Sequence, residues 1–159
     1  MAKTVLELNP VEFITIGTIG PKGRRVFHLQ AGHEGKLVSF TIEKEQAWAL
    51  SEAIGEFIDE LEQRFDIETD VEMASMDMDL REPIEPLFRV AQMGLAFDEA
   101  SEDIILIAEE MAQDDEEPDV VRMWCSRGQM YALSIQAMDM VESGRPNPRQ
   151  NGRILYYWQ

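Results

Sequence analysis

Hydrophobic and polar positions fall into two successive patterns, each a set of short apolar runs followed by a longer stretch with helical spacing. Phe13-Ile14-Thr15-Ile16 opens the first, Gly20-Pro21-Lys22-Gly23 turns it, and Arg25 to Gln30 resumes it. Two such runs joined by a Gly/Pro turn predict a hairpin. Ala31-Gly32-His33-Glu34-Gly35 supplies a second turn and residues 36–42 a third strand. From Glu43 the period changes. Ala47, Leu50, Ile54, Phe57, Ile58, Leu61 and Phe65 recur at three-and-four spacing, while Glu52, Glu56, Asp59, Glu60 and Glu62 take the other face. That spacing predicts a helix with one face on a sheet and the other in water.

The second pattern repeats the first. Phe88 to Leu95 reads as a strand, Asp98 to Glu102 as a turn, and Ile104 to Ala108 as an apolar run without alternation, expected where both faces are covered. An acidic loop, Gln113 to Pro118, leads to a strand at residues 119–125. Ser126-Arg127-Gly128-Gln129 has capping-box spacing, in which hydroxyl and amide reciprocally satisfy free backbone N–H groups. Met130, Leu133, Ala137, Met140 and Val141 then stand where the first helix has Ala47, Leu50, Ile54, Phe57 and Ile58. Gln46-Ala47-Trp48-Ala49-Leu50-Ser51 itself recurs, ungapped from the preceding strand, as Gln129-Met130-Tyr131-Ala132-Leu133-Ser134.

The fold these patterns predict is α+β: a tandem duplication of a β-β-β-α unit, with two helices packed on antiparallel sheet about a pseudo-twofold axis. Residues 1–159 read as a single domain with internal repeats at about 11–65 and 88–143. An acidic, Met-containing connector, 66–87, separates the repeats, and Met76 to Leu80 alternates as an edge strand would. Thr4 to Leu8 alternates similarly and is expected to extend the first unit.

Composition narrows the function classes. Hydrophobic residues make up 45% of the 159, which excludes global disorder. No apolar run approaches the roughly 20 residues of a membrane span, and no signal-peptide core follows Met1, so a cytoplasmic protein without membrane contact is expected. Asp and Glu number 31 against 14 Lys and Arg, a formal charge of −17. A field of that sign repels phosphate backbones and favours basic protein surfaces or cationic ligands as partners.

Candidate chemistry is sparse. Gly17-Thr18-Ile19-Gly20-Pro21-Lys22-Gly23 has the glycines and lysine of a phosphate cradle, but a P-loop needs a helix to follow and here a strand does. The sequence therefore reads as a hairpin turn. His28 lies mid-strand and His33 in a turn, without a partner at fixed spacing. Cys125 is the sole cysteine; at the start of the second helix its thiol could feel the positive helix terminus, but a small buried apolar role is more economical. Asp77-Met78-Asp79 and Asp114-Asp115-Glu116-Glu117 lack the ligand alternation and central glycine of an EF-hand loop. One cysteine and two histidines cannot assemble the usual structural zinc set, so neither metal nor cofactor is expected. The tail, 153–159, carries five consecutive large apolar residues, Ile154, Leu155, Tyr156, Tyr157 and Trp158. Burial stabilises such side chains by about 1.5 to 3 kcal/mol each, so they are expected to dock on this protein's sheet or on another chain.

Several segments together resemble an uncharacterised bacterial family, found mainly in actinobacteria and Chloroflexota, that carries a domain of unknown function. They are residues 17–23 with Phe27 to Ala31, Glu43 to Gln46, Phe88 to Val90 with Met93 to Asp98, and Gly144-Arg145-Pro146. Many members of that family continue with a zinc-ribbon-like Cys/His segment ending Cys-Pro-Arg-x-Asn-Gly. Asn147-Pro148-Arg149-Gln150-Asn151-Gly152 resembles the ending without its cysteines, so the resemblance brings no zinc site. Family genes lie near lipid-kinase-like and histidine-phosphatase-like genes, which implies phosphate-related regulation but no catalytic residues.

The functional class this favours is a noncatalytic interaction or adaptor protein, with a protein partner or self-association through the tail. One alternative is a small hydrolase or transferase acting on a phosphorylated metabolite through His28 or Cys125. A second, single-strand nucleic-acid binding, requires a basic stripe that the net charge opposes.

Overall fold

A computed structural model of the chain describes residues 5–21, 23–69, 76–112 and 116–143. In order, the elements are β1 (Val5–Leu8), β2 (Phe13–Ile19), β3 (Val26–His33), β4 (Lys36–Ile42), α1 (Lys44–Phe65), β5 (Pro86–Asp98), β6 (Asp103–Glu110), β7 (Val120–Cys125) and α2 (Arg127–Ser143). No helix among the described residues is long and apolar enough to cross a membrane.

The fold is mixed α+β, with seven strands in the order β1-β7-β6-β5-β4-β3-β2. Strands β2, β3 and β4 form an antiparallel meander, and so do β5, β6 and β7. Two parallel seams interrupt this pattern: β4 with β5, where Phe40 pairs with Phe88, and β1 with β7, where Val5 pairs with Val120. The sheet is therefore mixed, where the sequence predicted antiparallel pairing. Parallel neighbours need a long crossover, and α1 with the connector supplies one between β4 and β5. Val5 to Leu8 forms the expected strand but lies beside β7, so it extends the second meander rather than the first.

Apolar side chains from both meanders meet both helices in one core. Ile16, Leu29 and Phe40 form a fully buried row across the first meander; Leu106 and Met123 are fully buried in the matching row of the second. Ala47, Leu50, Ile54 and Ile58 of α1 are buried, as are Met130, Leu133, Ala137 and Val141 of α2. The helices touch where the Ser51 hydroxyl donates to the Ser134 carbonyl at 2.7 Å. In β6 only Ile104, Leu106 and Ala108 are fully buried, while Ile105 and Ile107 are half-buried. The unbroken apolar run thus has one covered face, correcting the expectation of two.

A glutamine side chain caps the start of each helix. The Glu43 N–H donates to Gln46 Oε1 at 2.7 Å, and the Ser126 N–H to Gln129 Oε1 at 2.8 Å. Gln129 N–H returns a bond to Ser126 Oγ at 3.0 Å, completing the capping box its spacing predicted.

Met76 to Leu80 forms no strand. Polar side chains on the outer face of the first meander hold this segment instead. Thr15 Oγ1 donates to the Met78 carbonyl at 2.6 Å. Gln30 Oε1 accepts the Arg81 N–H at 2.8 Å while its Nε2 donates to the Arg81 carbonyl at 2.8 Å and to Ser39 Oγ at 3.1 Å. The Arg81 guanidinium lies 3.6 Å over the Phe13 ring, a cation–π contact. Glycine at position 17 permits the close approach, because a Cβ there would meet Leu80 at 2.7 Å.

Candidate functional site

A groove of about 570 Å3 lies between α1 and β5. Its helix wall is built from Ala49, Ala53 and Phe57, its strand wall from Met93, Gly94 and Leu95, and Glu56 and Glu60 also line it. Gln46 joins the two walls at one end, donating from Nε2 to the Val90 and Ala91 carbonyls at 3.0 and 3.3 Å. Farther along, Phe65 of α1 meets Phe97 of β5, ring centroids 5.0 Å apart.

The strand wall has backbone as well as side chains to offer. β5 pairs with β4 only as far as Arg89, and from Val90 to Asp98 its ladder runs to β6 alone. On the corresponding side of β2, α2 reaches in: Gln136 Nε2 donates to the Ile16 carbonyl at 3.2 Å. Ile16 is fully buried, whereas Leu95 is half-buried.

A second cavity, of about 440 Å3, lies at the start of α1. Arg25, Lys44 and Arg89 line it together with Glu43 and Glu45, and Arg89 is paired with Glu43.

His28, His33 and Cys125 line neither cavity, whereas Gly23 of the glycine-rich turn lines the second. His28 is buried on β3, between Gly17 and Thr41 in the ladder. Burial lowers its pKa below the ordinary 6.5, with the Phe40 backbone acting in the opposite sense. His33 sits at the end of β3, its Nδ1 2.8 Å from the Pro10 carbonyl and its Nε2 3.5 Å from Glu34. Cys125 ends β7 fully buried, and burial, reinforced by the Asp103 charge, pushes its thiol pKa strongly upward. A thiol so held stays protonated and is poorly suited to nucleophilic attack. His28 and Cys125 are not brought together: β4, β5 and β6 separate their strands in the sheet order. The tail residues Ile154 to Trp158 lie outside the described residues.

Near Cys125 the β5–β6 turn holds two carboxylates whose pKa values are shifted in opposite directions. Trp124 donates its indole N–H to Asp98 Oδ2 at 3.0 Å, and that bond, with the Ser101 and Ala100 N–H groups, keeps Asp98 below the ordinary carboxylate range. Burial shifts Asp103 upward. Among the described residues no group of three His, Cys, Asp or Glu side chains is placed to hold a metal ion. Asp77 instead accepts the Asp79 N–H at 3.0 Å as a turn residue, and Asp114 and Asp115 lie outside the described residues.

Sequence reasoning missed Thr15, Gln30 and Ser39, whose signal was polarity at strand positions facing away from the core. It also missed Ala53 and Gln136. Carrying the repeat alignment past Ser134 pairs these two and exposes the difference between them.

A sequence-family profile described as a protein of unknown function, DUF3090, matches residues 6–152. The chain belongs to that family. No curated protein and no solved structure gives a significant match to it.

Proposed function

We propose that this DUF3090 chain is a noncatalytic interaction protein that receives an extended, apolar polypeptide segment in the groove between α1 and β5. One observation carries the reading: from Val90 onward β5 has a strand on one side only, and its other side borders a groove walled by Ala49, Ala53, Phe57, Met93 and Leu95. Adding a strand to an open sheet edge uses backbone hydrogen bonds for affinity and flanking apolar pockets for specificity. A cytoplasmic setting accords with this role, and residues 1–159 act as one domain in which 66–87 connects two units and 153–159 forms an apolar tail.

The two units are a tandem duplication of β-β-β-α related by a pseudo-twofold axis. Matching ladders support this: Ile16-Leu29-Phe40 corresponds to Leu95-Leu106-Met123, and Gln46 to Gln129. Divergence after duplication accounts for the difference between the units at this place. Its counterpart beside β2 is bridged by Gln136, and α1 has Ala53 at that place.

A photo-crosslinking residue replacing Ala53 in the full-length protein tests the reading. Crosslinks to a polypeptide segment, from this chain or another, support it. Adducts confined to solvent or to a small molecule refute it.

The smaller cavity supports a second reading, a small hydrolase or transferase for a phosphorylated metabolite, because Arg25, Lys44 and Arg89 converge there at a helix N-terminus. Titration of a phosphorylated sugar, followed by the shifts of backbone amides near Lys44, decides it.

A further inference from the structure

Resting on the reading of the α1–β5 groove as a segment-binding site, we propose that its occupant is this chain's own Arg153 to Trp158. The segment lies against β5 as an added strand, with Arg153 beside Glu56 and Glu60.

The groove first defines what fits it. In an antiparallel ladder alternate residues turn their N–H and C=O away from the paired strand. Ile16 does so, since its carbonyl takes the Gln136 amide. Leu95 holds the same ladder position in β5, with Leu106 and Met123 beside it where Ile16 has Leu29 and Phe40. Ala53 follows Gln46 by the same seven residues that separate Gln136 from Gln129. A methyl group cannot donate to a carbonyl, so the Leu95 edge is left open to a partner that brings its own backbone N–H. Leaving such a group desolvated costs about 1–3 kcal/mol, and an extended peptide satisfies it.

Charge and sequence then select the occupant. Among the described residues, Glu56 and Glu60 are the charged side chains lining the groove, and no Lys or Arg lines it. The complementary ligand is an apolar extended segment with a cation at one end. Arg153-Ile154-Leu155-Tyr156-Tyr157-Trp158 has that form, and its aromatic and β-branched residues favour an extended backbone. In a strand, Ile154, Tyr156 and Trp158 share one face and Leu155 and Tyr157 the other, so both groove walls meet large apolar groups.

The connection is long enough. Nine residues, 144–152, lie between the end of α2 at Ser143 and Arg153 and span up to about 30 Å when extended. That reach is about twice the roughly 15 Å radius of gyration of a fold this size, which brings the groove of the same chain within range.

Disulfide trapping in the full-length chain tests the proposal. Ala53→Cys with Tyr156→Cys is expected to form an intramolecular bond under mild oxidation, with at least a tenfold higher yield than Glu52→Cys with Tyr156→Cys, because Glu52 is exposed and lies outside the groove. In parallel, Tyr156→Asp with Trp158→Asp is expected to speed amide exchange at Met93 and Leu95 tenfold or more. Equal yields for the two cysteine pairs, a bond formed only between chains, or unchanged exchange overturns the proposal. If the Ala53 crosslinker meanwhile captures a segment of another polypeptide, the segment-binding reading stands and only the occupant is wrong. If it captures none, both fall.

Discussion

Gln46 and Gln129 make the same set of bonds from the same place in two helices. Each amide oxygen takes the N–H of the residue three before it, and each amide nitrogen crosses to two consecutive backbone carbonyls of the other unit, within β5 for Gln46 and just before β2 for Gln129. For Gln46 those carbonyls are Val90 and Ala91; for Gln129 they are Val11 and Glu12. The glutamine thus caps its own helix and also ties it to the other unit, a second task that capping does not include.

Gln46→Ala and Gln129→Ala are each expected to destabilise the fold by about 1–2 kcal/mol, the sum of a few partly solvated hydrogen bonds. Gln46→Ala has the larger effect, because its carbonyl contacts of 3.0 and 3.3 Å are shorter than the 3.5 Å contacts of Gln129. Urea denaturation of the two variants checks both magnitude and order.

Leu50→Ala and Leu133→Ala are each expected to cost about 2–5 kcal/mol, since both side chains are buried against the sheet and truncation leaves a cavity. A loss under about 0.5 kcal/mol for either would place that residue outside the core.

His28 sets a pH-dependent component of stability. Burial holds its folded pKa below the ordinary 6.5, so the unfolded chain binds the proton more readily. The contribution of neutral His28 is complete above pH 6.5 and declines as pH falls below that value, until the folded pKa is passed. His28→Gln is expected to flatten the stability profile in this window, measured by denaturant midpoints across pH.

Cys125 is expected to resist alkylation in the native protein. Its thiol is fully buried and held protonated, so labelling must wait for the fold to open. Iodoacetamide at mildly alkaline pH should modify native protein roughly tenfold or more slowly than protein in urea. Equal rates would mean that the end of β7 is open to solvent.

The helical faces were legible because three-and-four spacing records which side meets a core. Every apolar position read from that spacing, from Ala47 to Ile58 and from Met130 to Val141, is buried or half-buried. Strand pairing was less legible: alternation in Val5 to Leu8 indicates a strand but carries no mark of its neighbour, and that neighbour is β7. The connector misled for a related reason. Its alternation suggested an edge strand, while Thr15 and Gln30 hold it through side chains. The groove left almost no trace, since it arises from one missing amide, at Ala53, and from where β4 stops pairing with β5.

The β1–β7 seam also orders events during synthesis. Val5 pairs with Val120, so 115 residues must be added before β1 meets its partner. At roughly 5–20 residues per second the ribosome takes about 6–23 s over that stretch. The hairpins β2–β3 and β3–β4 join neighbours in sequence and close in microseconds once they emerge. For those seconds β1 is an unsatisfied strand on a growing chain, its backbone open to a nascent-chain chaperone.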